Sequence, residues 1–197
     1  MSFDREELIA ACVEHGRVAR VVIAAVRGSA PREVGASMLV WKDGFSGTIG
    51  GGTLEFQAID AARQSLESGK RHNTRHALGP DLGQCCGGSV DLLTEGYDLA
   101  TAQALHEALV IRGDGEMPLA VARIKADFER TGQLPATQHI DGWMIEPVDA
   151  TSREFWIWGA GHVGRALVNV IAPLPGVAVT WVDVDTARFP AVTAKNV

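Results

Sequence analysis

The sequence predicts an α/β protein, with a mixed α+β domain over residues 1–150 and a β-α-β segment over 153–197. Three observations carry that prediction. Up to about residue 150, stretches with helical spacing alternate with short β-branched runs. After Phe155 the pattern changes to strand, glycine turn, apolar helix and strand. The chain has 197 residues, 46% of them hydrophobic, enough for a sizeable core.

Leu8, Ile9, Cys12 and Val13 follow an acidic turn at helical spacing, predicting a first helix that ends near Gly16. Val18 to Val26 is almost wholly apolar and reads as a strand, stopped at Gly28-Ser29-Ala30-Pro31-Arg32 because proline lacks the ladder donor. Met38 to Trp41 is the next strand, and Lys42-Asp43-Gly44 its turn. Leu54, Ala58, Ile59, Ala62 and Leu66 form one stripe of a helix that Thr53 would cap and Gly69 would end. Residues 70–77 and Ser89 to Thr94 read as strands, Leu99 to Ile111 as a helix, and Leu119 to Ile124 as a strand. Asp127 to Ala136 is polar and reads as an excursion or linker before a strand from Trp143 to Val148.

A net charge of −6 and the absence of a basic run argue against a broad nucleic-acid surface. The charged amino terminus is no signal peptide, and no stretch has the roughly 18 uninterrupted apolar residues of a membrane span. Three cysteines fit a reducing compartment better than a disulfide framework. A cytoplasmic protein without membrane contact is expected.

Two of those cysteines are adjacent, in Gly83-Gln84-Cys85-Cys86-Gly87-Gly88. Neighbouring Cα atoms lie about 3.8 Å apart, against roughly 4.4–6.8 Å across an ordinary disulfide, so an unstrained bridge between Cys85 and Cys86 is excluded. Thiolates are soft ligands and nucleophiles, and flanking glycines admit a ligand closely. Zinc on His72, His76, Cys85 and Cys86 is an alternative that the missing spacer between the cysteines fits poorly. Cys12 falls on the apolar stripe of the first helix and reads as packing.

Three further motifs have chemical potential. Gly50-Gly51-Gly52-Thr53 leads into a helix, whose start offers backbone N–H groups to an anion. Glu55 would repel a phosphate there, yet it could accept two hydrogen bonds from a guanidine-like edge such as that of a pterin; the plain alternative is service to the helix dipole. Arg32, on the proline-stiffened loop beside Ser29, is a fork of donors suited to phosphate or carboxylate. Gly159-Ala160-Gly161-His162-Val163-Gly164 lies between strand and helix, with Asp183 at the distance of a ribose-binding acid, which is dinucleotide-type topology; His162 follows the second glycine and could face a ligand. Only fourteen residues follow Asp183, so an incomplete Rossmann-like segment is expected.

The motifs occur in order: Gly28 to Arg32 with Gly35 to Met38, Gly47 to Glu55, Gly83 to Gly88, and Gly159 to Gly164. In this the chain resembles the XdhC/CoxI family of xanthine dehydrogenase accessory proteins, whose members continue through a complete Rossmann-like domain. The resemblance implies a molybdenum-cofactor-binding maturation factor, not a metabolic catalyst. Such a factor protects the cofactor, supports its sulfuration by a cysteine desulfurase and delivers it to a xanthine dehydrogenase-type apoenzyme; a homodimer is expected. Molybdopterin has a pterin edge, a phosphate and a soft metal-dithiolene centre. Glu55 is matched to the first, the Gly50 to Thr53 turn with Ser29 and Arg32 to the second, and Gln84, Cys85 and Cys86 to the third, the two cysteines as contacts to molybdenum. An oxidoreductase fragment using NAD(P) or FAD at Gly159, Gly161, His162, Gly164 and Asp183 is the alternative.

Overall fold

The structure is a computed structural model and describes residues 3–68, 71–79, 87–105, 107–148, 153–174, 176–194 and 196–197. The chain divides into two compact units, Met1–Asp149 and Ala150–Val197.

The first unit begins with α1 (Arg5–His15), where the Asp4 carboxylate accepts the Glu7 N–H at 2.8 Å and Gly16 closes the last turn. Next comes β1 (Val18–Arg27), the centre of a five-stranded sheet with β2 (Ser37–Val40), β3 (Phe45–Gly47), β4 (His72–Ala77) and β5 (Ser89–Tyr97), in the order β3-β2-β1-β5-β4. Every neighbouring pair is antiparallel. α2 (Gly52–Ser68) covers one face, burying Leu54, Ala58, Ile59 and Ala62 against Val21, Ile23, Val90 and Leu92. This is the stripe that the sequence predicts.

The opposite face, with Val22, Ala24 and Leu93, packs on Met144 of a second sheet. That sheet runs β6-β8-β7, from β6 (Leu109–Arg112), β7 (Gln138–Ile140) and β8 (Trp143–Pro147). Its outer face, with Leu109, Trp143 and Ile145, is covered by Val121, Ile124 and Phe128 of α4 (Leu119–Thr131).

Between the sheets lies an ion cluster. Arg20 of β1, 2% exposed, donates to both oxygens of the fully buried Glu146 of β8, at 2.8 and 3.0 Å. Arg112 of β6 joins Glu146 at 2.6 Å and Glu95 of β5 at 2.8 Å, and the Phe3 ring lies against both guanidinium groups. Burial alone would push the Glu146 carboxyl up, but Arg20 and Arg112 hold it at about 2. Removing one partner would leave a buried charge without compensation, so the cluster fixes how the sheets register.

Three expectations need correction. The helix drawn over Leu99 to Ile111 is only α3 (Leu99–Gln103), started by an Asp98–Thr101 capping box; Leu109 to Arg112 instead pair with β8 and bury Leu109 and Val110. Leu119 to Ile124 is helix, not strand, and the helix takes in much of the expected linker before Gly132 ends it. Its Val121, Ile124 and Phe128 share one helical face. Thr53 lies inside α2, which starts one residue earlier, so it is no cap.

The second unit has two parallel strands, β9 (Arg153–Trp158) and β10 (Val177–Val182), joined by α5 (His162–Ile171). Val168 and Ala172 pack on Ile157, Val177 and Val179. Among the described residues, no helix is long and apolar enough to cross a membrane.

Candidate functional site

Three of the sequence motifs meet at one end of the five-stranded sheet. The 28–32 loop leaves β1 there, and a Cβ on Gly50 would collide with the ring of Pro31, so the Gly50 turn lies directly against this loop. Arg32 Nη1 donates to the Thr48 carbonyl at 3.4 Å. On the other side Gly88 touches the loop: a Cβ there would strike the Arg27 and Ser29 backbone. The Leu78 N–H donates to the Gly88 carbonyl at 2.8 Å, closing the foot of the β4–β5 connection beside Ser29. Gln84, Cys85 and Cys86 lie outside the described residues.

The Gly50 turn has an internal occupant. Glu55 Oε2 accepts the Thr48 hydroxyl at 2.7 Å and the N–H groups of Ile49 and Gly51 at 3.0 Å each, while the Gly50 N–H donates to Thr48 Oγ1 at 3.1 Å. The donors of Gly50 and Gly51 that the sequence reading offers to a phosphate are therefore spent within the turn. Likewise one oxygen of the Glu55 carboxylate, which the sequence reading matches to a pterin edge, serves the loop. Gly52 and Thr53 open α2 at this rim, both exposed.

Sequence reasoning missed a second charged group at the same end. Asp91 of β5 stands opposite Arg75 of β4 and accepts from its Nε at 2.7 Å and Nη2 at 3.2 Å, and from Arg27 Nη1 of β1 at 3.0 Å. The Arg75 hydrogen bonds, then Arg27, hold the Asp91 carboxyl below the usual range against the opposing effect of burial. Two arginines on one aspartate leave an excess positive charge at this end of the sheet. Only strand pairing brings these residues together, so spacing in the sequence could not reveal them.

The zinc alternative loses its geometry. His72 and His76 lie on one face of β4, four residues apart, which in a strand is about 13 Å and too far to share an ion. Among the described residues, no three His, Cys, Asp or Glu side chains cluster as a metal site. Burial pushes the Cys12 thiol up, which suits an inert core residue.

In the second unit a Cβ on Gly164 would collide with the Gly159 carbonyl, and the Trp181 Nε1–H donates to that carbonyl at 3.0 Å. Asp183 does not face an open ribose position. Its Oδ2 accepts the Ala160 N–H at 2.6 Å, its Oδ1 accepts the Asp185 N–H at 3.2 Å, and Arg188 lies 3.5 Å from Oδ1. The Ala160 hydrogen bond chiefly lowers its pKa. Gly161 and His162 are exposed at the start of α5.

Comparison with known proteins agrees with the motifs. The profile described as the XdhC and CoxI family matches residues 12–77. Over 184 residues the chain is 28% identical to the molybdenum cofactor insertion chaperone PaoD of Escherichia coli (strain K12), covering 85% of this chain and 56% of that one. The chain is therefore similar to the XdhC and CoxI family. The matched segment contains Ser29, Arg32, the Gly50 to Thr53 turn and Glu55, whereas the cysteine pair and the Gly159 turn lie beyond it. A Bacillus halodurans protein, solved by crystallography as a xanthine dehydrogenase, superposes with a TM-score of 0.69 at 18% identity, over 94% of this chain and 64% of that one. At that identity the likeness concerns the fold. The chain spans less than two thirds of either relative's length.

Proposed function

We propose that this protein holds a molybdenum cofactor and passes it to a xanthine dehydrogenase-type apoenzyme. The observation that carries the reading is the meeting of the Ser29–Arg32 loop, the start of α2 and the foot of the cysteine loop at one sheet end. Cationic groups there, Arg32 with the Arg27–Arg75 pair, suit the cofactor's anionic phosphate, and the exposed N–H end of α2 at Gly52 and Thr53 adds to them. Cys85 and Cys86, with Gln84 beside them, supply soft sulfur for the metal-dithiolene end. Similarity to a molybdenum cofactor insertion chaperone supports the same reading.

In this role the protein is an accessory factor. It shields the cofactor, presents it to a cysteine desulfurase for sulfuration, and works in the cytoplasm as a homodimer. A nicotinamide or flavin oxidoreductase is the weaker reading, because both oxygens of Asp183 already accept backbone N–H groups, one from Ala160 in the glycine turn and one from Asp185.

Protein purified from a molybdenum-replete host should carry molybdenum and a pterin in equal amounts, measured by metal analysis and by the fluorescence of the oxidised pterin. Replacing both Cys85 and Cys86 by alanine should remove most of the metal. Recovery of neither metal nor pterin, even after reconstitution with isolated cofactor, would overturn the proposal.

A further inference from the structure

The inner face of the second sheet carries a titratable group outside the ion cluster. His139 of β7 stands opposite Met144 of β8 in the antiparallel register, so the two side chains share a face. Met144 packs on Val22, Ala24 and Leu93, which puts His139 between the sheets, while its neighbour Ile140 turns outward to the α4 side. β7 is three residues long, pairs with β8 and ends the sheet. Few bonds hold it, so what its inward side chain meets decides how firmly it sits.

That environment suits the neutral ring alone. The Gly142 carbonyl accepts from the ring, and the Nε2 nitrogen is shut off from solvent without a hydrogen-bond partner among the described residues. In a neutral imidazole Nε2 is an acceptor that forgoes one bond. In an imidazolium it would be a buried, charged N–H with no acceptor, which costs far more. The charged groups around it are Arg27 of β1, Asp91 of β5 and Arg71, which precedes β4. Asp91 already takes Arg27 and Arg75, and Arg71 lies 3.5 Å from Glu95 and 3.9 Å from Asp114. In the same row of the second sheet, Arg112 Nη1 is also buried without a partner, so donors are in surplus here. Burial above all, then Arg71, holds the His139 imidazole below the usual histidine range, against the opposing effect of Asp91 and Gly142.

We propose that His139 is a proton-sensitive catch: β7 stays seated on the first sheet while the imidazole is neutral, and protonation releases the strand with its turn into β8. The turn is Asp141-Gly142, both at positive φ. A cavity of about 260 Å³ lined by Arg71, Asn73, Leu93, Asp114 and Gly142 lies beside it and leaves it room to move. β8 itself is held by Glu146 on Arg20 and by the packing of Met144. A histidine whose folded pKa is lowered supports the fold above its unfolded value, about 6.5, and that support drains away as pH falls through this value toward the folded one. The catch involves no cofactor and stands whether or not the proposed function does.

The test follows the whole chain by NMR from about pH 8 to about pH 5, across the range in which histidine titrates. It reads the imidazole C–H signals, with His139 assigned by its absence in His139→Gln, and the amide exchange of β7, corrected for the intrinsic effect of pH. The expected result is a His139 midpoint below about 6.5 and β7 exchange that rises up to about tenfold per pH unit below that value, the slope of one proton. His139→Gln takes up no proton and should abolish the rise; should it fail to fold, His139→Leu replaces it. A His139 midpoint at or above about 6.5, or a rise that persists in the variant, overturns the proposal. So does a rise that β6 and β8 share equally with β7, because the layer would then open as a whole.

Discussion

The two glycine turns look alike in the sequence, since each runs into a helix and each advertises backbone N–H groups to an anion. The structure fills both with a carboxylate of the chain itself. In the first, Glu55 reaches back from the opening turn of its own helix to Gly51 and Ile49, four and six residues away. In the second, Asp183 arrives from the end of β10, 23 residues beyond Ala160. The first turn is closed locally and needs little besides α2, whereas the second is closed only when β9 and β10 pair. A glycine turn before a helix is thus a demand for negative charge, and a protein can meet that demand internally.

The largest test of this contrast is Gly164→Ala. Its new methyl would meet the Gly159 carbonyl, a backbone atom that cannot swing aside, so the second unit should lose about 3 kcal/mol or more. Gly51 has open space around it and a φ of +77°, so Gly51→Ala should cost only the backbone strain, about 1–2 kcal/mol. Urea unfolding followed by tryptophan fluorescence reads the second unit through Trp156, Trp158 and Trp181. If Gly164→Ala unfolds no earlier than wild type, the second turn is not tightly closed and the contrast fails.

Next in size is Glu55→Ala, which deletes the acceptor of two backbone N–H groups and one hydroxyl. A cost of about 1–3 kcal/mol is expected, because these partners are only partly shielded from water. Local closure predicts that amide exchange speeds up at Ile49 and Gly51 and in the first turn of α2, while α5 is unaffected. Glu55→Gln, which keeps an oxygen acceptor, should restore most of the protection. Exchange that rises equally across the whole first unit would show that the turn is not an independent local device.

The same distinction between local and distant partners explains what was legible in the sequence. β1 could be read because seven successive residues from Val18 are buried, and α2 because its stripe is regular. α4 was misread because Leu119 to Ile124 mimics strand alternation, and its helical partner Phe128 lies beyond the window that suggested a strand. β7 was passed over although Asp141-Gly142, a favoured hairpin pair, marks its turn into β8. Arg20 sits within an apolar run, and nothing near it announces Glu146, which is 126 residues away. At the candidate site the motifs and their order were legible, but not that Glu55 would serve its own loop, nor that Arg27 and Arg75 would share Asp91. Those facts belong to loop closure and strand register, which spacing does not encode.

The smallest effect is the most specific to the second turn. Because the Ala160 N–H, above all, favours the ionised form, the Asp183 carboxyl titrates below its ordinary value in the folded state. A lowered folded pKa stabilises the fold above the unfolded value, about 3.9, and that contribution drains away as pH falls through this value toward the folded one. Asp183→Asn keeps an oxygen for the Ala160 N–H but removes the charge, and with it this part of the acid sensitivity. The melting temperature of the variant, read by tryptophan fluorescence, should therefore lie below wild type at pH 6 and converge with it as the pH approaches 3. A gap that stays constant across that range would mean that Asp183 acts through shape alone, and the second turn, like a merely well-packed corner, would make no demand for charge.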